Sequence, residues 1–272
     1  MRIAIAHTTT FAFAPPARAL VQNLRLTPRS FDSQYVLRWR LEMDVDGALR
    51  RDEDSLGNIV HAFSHPAAIE RFSVSAVGEV ETSDAVGVIR GEVEPLPSAM
   101  FLRASALAQT NGALREFALE AVGDASDRLE RLHRLMDAVH QTMAYEPGES
   151  DSYVGSGEAF ALRRGGVAEF AHIYIACARF LEIPARFVSG YFVDEGSPGH
   201  GLFAWAEAEA PGLGWVAFDP VNNQCADARY VRVAIGLDGP GATPFRTAHS
   251  AGGGAKVDST VRIRQASGQA QN

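Results

Sequence analysis

Hydrophobic and polar positions alternate through the first third of the chain. Ile3, Ile5 and His7 alternate with Arg2, Ala4 and Ala6, and Pro15 and Pro16 are expected to close that segment. Residues 23–27 alternate before Pro28, and residues 35–43 alternate over a longer span, followed by the hairpin signal Asp46-Gly47. Leu56-Gly57-Asn58 marks another turn. Residues 59–63 and 71–82 continue the pattern, the latter with Phe72, Val74 and Ala76 at period two. Period two is the signature of a half-buried strand. Several such strands with turns between them predict an antiparallel sandwich over residues 1–95. Residues 92–102 contain prolines and read as a connector.

The period then changes. Residues 113–122 form a short helical pattern. Asp124, Ser126 and Asp127 supply N-cap candidates for a helix reaching about Met143, with Leu129, Leu132, Leu135, Met136, Val139 and Met143 on its apolar face. A loop over 149–157 and a short helix over 157–162 lead into residues 162–184. Here a glycine turn feeds a helix whose apolar positions are Phe170, Ile173, Tyr174, Cys177, Phe180 and Leu181, and Pro184 stops it. Strands are expected at 185–193, 202–209, 215–219 and 229–235. A Gly/Pro-rich loop over 236–254 and a final strand over 256–264 follow. The fold class is therefore α+β. An N-terminal antiparallel β-sandwich-like domain (1–95) precedes a core of helix packed on antiparallel sheet (96–240). Residues 241–272 hold a loop and a last strand that can return to the N-terminal domain.

Composition narrows the function classes. With 46% hydrophobic residues in 272, the chain can bury a sizeable core. A net charge of -8 argues against a nucleic-acid footprint, which needs a basic face. No stretch approaches the ~20 apolar residues of a membrane span, and no signal-peptide core is present, so a cytoplasmic location is expected. Two cysteines, Cys177 and Cys225, make no disulfide framework. Cys177 lies on its helix's apolar face and reads as a buried structural thiol. No metal site and no cofactor are expected.

A glycine turn opening a buried helix is where papain-type thiol enzymes place a nucleophile, because the positive end of the helix dipole favours a thiolate. The following strands carry AWAEAE and GWVAFDP. That order suits a Cys-His-Asp design, in which His takes the thiol proton and Asp fixes the imidazole. With AHTTTFAFAPPA, LRLTPRS, LRWRLEMD, AYEPGES, IPARFVSGYF, AWAEAEAPGLGWVAFDPVNN and VRVAIGLD in order, nearly the whole chain resembles the bacterial transglutaminase-like proteins that carry an N-terminal β-domain. The resemblance implies a papain-like/transglutaminase core.

The departures lie at the chemistry. The family typically reads arginine-glycine-valine-cysteine-glutamine-aspartate before phenylalanine-alanine-histidine. Matched on Phe170-Ala171-His172, its cysteine falls on Val167 and its glutamine on Ala168. Its histidine-alanine-tryptophan falls on Phe203-Ala204-Trp205, so the histidine position is Phe203. Asp219 matches the family's aspartate, with a turn or cap role as the bland alternative. The former cleft is expected to involve Ala168, Glu169, His172, Tyr191, Trp205 and Glu207, each of which also reads as packing. Cys177 lies about 15 Å down the helix from the turn. Cys225 or His200 beside Asp219 could supply relocated chemistry, though His200 faces the wrong side of a continuous strand. Two expectations follow. One is a transglutaminase-like protein that has lost its Cys-His pair and acts as a binding or scaffolding partner. The resemblance implies partners among ATP-grasp, alpha-E or proteasome-like proteins, or an active homologue. The other is an active cysteine-type amidase, peptidase or acyltransferase with relocated residues. In the first case Val167 and Phe203 should lie close together and near Asp219.

Overall fold

The computed structural model describes residues 1–92, 94–147, 154–193, 202–249 and 254–266. Six strands come first: β1 (Arg2–Ala17), β2 (Leu20–Thr27), β3 (Gln34–Met43), β4 (Ala48–Glu53), β5 (Ile59–His65) and β6 (Ile69–Thr82). A 3-10 turn at Ser98–Leu102 leads to α1 (Gly112–Val122) and α2 (Arg128–Thr142). The two-residue β7 (Ala144–Tyr145) and β8 (Arg164–Gly165) form a parallel bridge on either side of α3 (Ser156–Leu162), and α4 (Val167–Phe180) follows. Next come β9 (Ala185–Phe192), β10 (Phe203–Ala210), β11 (Gly214–Asp219), β12 (Gln224–Cys225) and β13 (Tyr230–Gly236). The short α5 (Gly239–Ala242), β14 (Phe245–His249) and β15 (Ala255–Gln265) complete the elements of the described residues.

The strands assemble into two four-stranded sheets, β15-β1-β6-β3 and β14-β2-β5-β4, and a five-stranded sheet β12-β11-β10-β9-β13. The two four-stranded sheets face each other over Phe11, Phe13, Leu20, Leu24, Phe63 and Phe72. Phe63 of β5 stacks on Phe72 of β6 with ring centroids 5.0 Å apart, joining the layers. Inward residues of β1 alternate with half-exposed ones, as period two requires. In the second half, α4 is buried from Glu169 to Arg179, so it reads as apolar around most of its circumference. It packs on one face of the five-stranded sheet, with α1 and α2 beside it. Asn111 and Asp127 cap α1 and α2 by accepting the amides of Leu114 and Glu130, each at 2.9 Å.

Three expectations change. Pro15 and Pro16 do not end the first strand. β1 runs on to Ala17, and its pairing with β6 breaks between Ala12 and Ala17, which is where a ladder tolerates residues without an N–H. The 236–254 segment is not only loop: it contains α5 and β14, the latter paired with β2 from Phe245↔Leu24 to His249↔Leu20. The 92–102 connector is fastened to the core through Glu92 and Glu94, described below. The last strand does return to the N-terminal sandwich, pairing with β1 from Ile3↔Gln265 to Phe13↔Ala255.

Candidate functional site

The first turn of α4 is shaped by a glycine and a glutamate. Gly165 lies so close to Glu169 that a Cβ there would stand 2.7 Å from the Glu169 Cβ. Glu169, at the third helical position, accepts the Gly166 amide at 2.9 Å. One amide left unpaired by the helix start is thereby answered, with a negative charge placed at the positive end of the dipole. Val167 and Ala168 open the helix half-buried.

Strand β10 sorts its side chains strictly by parity. Ala204, Ala206 and Ala208 join the core around α4, while Phe203 and Trp205 turn to the other face. There they meet Val188 and Phe192 of β9, Trp215 and Ala217 of β11, and Tyr230 of β13. Phe203 lies 5.1 Å from Phe192 and 6.2 Å edge-on from Tyr230, measured between ring centroids. Trp205 meets Tyr230 at 5.4 Å. Val167 packs against this same cluster from the helix start, so the first residue of α4 and the first residue of β10 share one apolar nucleus.

Asp219 ends β11 on that side. It is fully buried, and its neighbour Pro220 cannot extend the ladder. One carboxylate oxygen accepts the amides of Val221 at 2.8 Å and Asn222 at 3.2 Å, an Asx turn. The other accepts the Tyr230 hydroxyl at 2.6 Å and the Asn222 side-chain amide at 2.7 Å. Burial raises the Asp219 pKa, and the bonds from Tyr230 and Asn222 oppose the rise. The Tyr230 hydroxyl is pushed well up, first by burial and then by the Asp219 charge it faces. Phe203 thus meets Tyr230, Tyr230 bonds Asp219, and Val167 packs against the cluster that holds Phe203 and Tyr230.

The other expected cleft residues lie elsewhere. Glu207 does not line an opening; it is fully buried between two arginines, bonded to Arg186 Nε at 2.6 Å and Arg232 Nε at 2.7 Å. Burial pushes its carboxyl up, but the charges of Arg232 and Arg186 outweigh that and hold it low. Arg186 also bonds Glu94 at 2.7 and 2.9 Å, and Arg232 forms an ion pair with Glu92 at 2.5 Å. Tyr191 is buried at the junction with the sandwich, 3.0 Å from Nδ1 of His7 on β1. His172 is fully buried in the helix core, stacked on Phe187 at 5.0 Å. Its Nε2 accepts the Gly239 amide at 2.9 Å, which puts the imidazole proton on Nδ1. Burial, then the Arg179 charge, lower its pKa to about 3, so it stays neutral. Trp205 is 1% exposed and packs rather than lining open surface.

Neither thiol is poised for chemistry. Burial pushes Cys177 up to about 12 and Cys225 up to about 11. Cys177 points its sulfur at the Leu114 carbonyl. Cys225 pairs with Phe218 across β11 and β12. Among the described residues no histidine bonds Asp219; His200 lies outside them. Among the described residues no helix is long and apolar enough to cross a membrane, and no cluster of histidine, cysteine, aspartate or glutamate is arranged to hold a metal ion. Sequence reasoning missed Tyr230, Asn222, Arg186 and Arg232. Only the run of polar residues after Asp219 signalled a carboxylate-centred turn.

Residues 3–81 match the family described as Bacterial transglutaminase-like N-terminal region, and residues 115–220 match the Transglutaminase-like superfamily. An uncharacterized protein of Mycobacterium leprae is 26% identical over 279 residues, covering 96% of this chain and 98% of the relative. One of Mycobacterium tuberculosis is 25% identical over 282 residues, covering 90% and 86%. Among solved structures, a candidate cysteine protease from Cytophaga hutchinsonii superposes with a TM-score of 0.78 at 20% identity, over 97% of this chain and 90% of that one. At that identity the likeness is one of fold.

Proposed function

From a chain that joins a bacterial transglutaminase-like N-terminal region to a transglutaminase-like core, we infer a protein that has lost its Cys-His pair and serves as a non-catalytic binding or scaffolding partner in a peptide-processing or peptide-ligation system. The family's cysteine and histidine fall on Val167 and Phe203, and its aspartate on Asp219. The observation that carries the reading is what surrounds these positions. Val167 and Phe203 belong to one apolar cluster, and Asp219 spends its acceptor capacity on Tyr230, Asn222 and a turn. A hydrocarbon at the nucleophile position has no lone pair to attack with. A phenyl ring at the base position cannot carry a proton. Apolar groups at both positions also avoid the cost of burying polar groups without partners.

Relocated chemistry at Cys225 or Cys177 has no support from their surroundings, since both thiols are held protonated far above neutral pH. Partners suggested by the resemblance are ATP-grasp, alpha-E or proteasome-like proteins, or an active homologue.

The purified protein should release no product from ester and amide substrates above buffer, and iodoacetamide should change nothing. Thiol-dependent turnover would sink the reading. The correspondence of positions has its own test. Val167→Cys combined with Phe203→His should create an iodoacetamide-reactive thiol near neutral pH, because the start of α4 and an adjacent imidazole both favour the thiolate. If residue 167 in that variant alkylates no faster than a free-peptide cysteine, the positions are wrongly matched.

A further inference from the structure

The outer face of the β15-β1-β6-β3 sheet has a composition unlike the rest of the molecule. Its registers form two rows that cross all four strands. One row is Arg264, Ala4, Glu79, Arg38; the other is Arg262, Ala6, Val77, Arg40. Arginines therefore stand on both edge strands, with Ala4, Ala6, Val77 and one acidic residue, Glu79, between them. The space they enclose is a groove of about 710 Å³. Four arginines and one glutamate of this set line it, a balance of +3 on a chain whose net charge is -8. Glu79 is already answered by Arg2 and Arg38. Arg262 and Arg264 are exposed and have no ion-pair partner among the described residues; Arg38 and Arg40, with side chains 71% and 64% exposed, already pair with Glu79 and Glu42, from the solvent side, where an incoming carboxylate competes for them.

We infer that this face is a docking surface for an extended, acidic segment of a protein partner. The geometry selects that occupant. Arg38 and Arg40, like Arg262 and Arg264, are two residues apart on a strand, about 6.8 Å. The two pairs stand three strand spacings apart, about 14 Å between backbones. In an extended peptide lying along the groove, successive side chains point to alternate sides. Carboxylates at i and i+2 then meet one arginine pair, and those at i+1 and i+3 meet the other, each able to form the forked bond that guanidinium makes with carboxylate. The Ala4, Ala6 and Val77 floor lets a backbone approach. A single-stranded nucleic acid would want aromatic platforms, and the one large ring near the groove, Trp39, packs on the opposite face against Tyr191. The acidic remainder of the chain repels an acidic segment elsewhere and leaves this face as its landing place. The face shares no residue with the Val167 cluster, so this inference and the loss of catalysis stand or fall separately.

Fluorescence anisotropy with a fluorescein-labelled octaglutamate peptide tests it on the full chain. Octaglutamate should bind and the matching octaglutamine peptide should not. Raising salt from 50 to 300 mM should weaken binding several-fold, because the sites are exposed. Arg262→Glu with Arg264→Glu should weaken binding at least tenfold at an unchanged melting temperature, and the milder Arg262→Gln with Arg264→Gln should weaken it less. Equal binding of octaglutamine, equal binding by the charge-reversed variant, or tighter binding of an eight-nucleotide oligothymidylate would each overturn the inference. Charged residues on edge strands also block sheet-to-sheet pairing. If the glutamine variant keeps its octaglutamate affinity but self-associates in size-exclusion chromatography, the arginines are edge guards and the inference fails.

Discussion

A carboxylate at zero exposure needs its lone pairs answered, and at Asp219 the hydroxyl of Tyr230 supplies the shortest answer at 2.6 Å. Removing that hydroxyl leaves the acceptor under-satisfied in a place water does not reach. Tyr230→Phe should therefore cost about 1–3 kcal/mol, the usual penalty for a buried group stripped of its partner, read as a shift of the urea midpoint. The same substitution should leave any binding by the arginine face unchanged. His172 makes a prediction of pH. Its folded pKa, about 3, lies below the 6.5 of the unfolded chain, so the unfolded state takes up the proton first. The stability associated with its neutral form is full above pH 6.5 and is lost as pH falls from 6.5 toward 3, by up to about 1.4 kcal/mol per pH unit. His7, lowered to about 4 by burial, has the same sign. The raised pKa of Asp219 has the opposite sign. Comparing wild type with His172→Gln between pH 7.5 and 4.5 isolates the imidazole, and the variant should show the shallower loss.

Among the elements, α4 and β10 illustrate how far periodicity reaches. The apolar spacing of Phe170, Ile173, Tyr174 and Cys177 announced a helix, and the helix is there from Val167 to Phe180. Periodicity did not announce that its polar residues would also be buried. Glu169 is turned back onto the Gly166 amide, and Arg179 is spent on the carbonyls of Phe101, Ala185 and Leu237 at 2.7 to 3.1 Å. In β10, AWAEAE read as a strand, and its alanines do face the helix. The glutamate parity was legible too, but its consequence was not. A glutamate on the side away from the main helix looks like surface until a second domain covers it. Glu207 is instead held by Arg186 and Arg232, with Glu94 and Glu92 completing the chain of charges. Breaking such a buried set from within is costly, about 3–5 kcal/mol. Glu207→Gln should lower stability by that order, and Glu94→Gln, at a carboxylate 29% exposed, by much less; paired urea unfolding curves decide.

For the whole molecule, closure depends on the end of the chain returning to its beginning. β15 supplies the outer neighbour of β1, and β14 supplies that of β2, so each sandwich sheet takes one strand from beyond the core. Buried amides fasten the two halves. Gln34 both donates to the Arg232 carbonyl at 2.9 Å and accepts its amide at 2.8 Å, and Asn58 does the same with Ile235 at 2.8 and 2.7 Å. Each side chain stands in for a strand neighbour along β13. Removing residues 244–272 should expose the flank of β1 and the apolar ring of Phe11, which Phe245 covers at 5.4 Å. The shortened chain is expected to aggregate or to show no cooperative thermal transition by circular dichroism.

Period two before residue 82 and helical spacing after residue 112 were enough to give an α+β chain, a sandwich followed by a helix on an antiparallel sheet. Local side-chain pattern is set by which face is buried, and that is written residue by residue. Sequence order likewise placed the glycine turn before α4 and Phe203 at the head of a strand, since turn chemistry and strand alternation are local. The tertiary structure decided everything that depends on long-range partners. A five-residue strand such as β14 is specified by the open edge of β2 more than by its own composition. Burial raises Glu207 while Arg232 and Arg186 hold it low, and burial raises Asp219 against the bond from Tyr230; these partners are brought by the chain from elsewhere. The arginine groove exists because register sets residues 38 and 40 opposite residues 262 and 264, across more than 220 residues of chain and only three strand spacings of space.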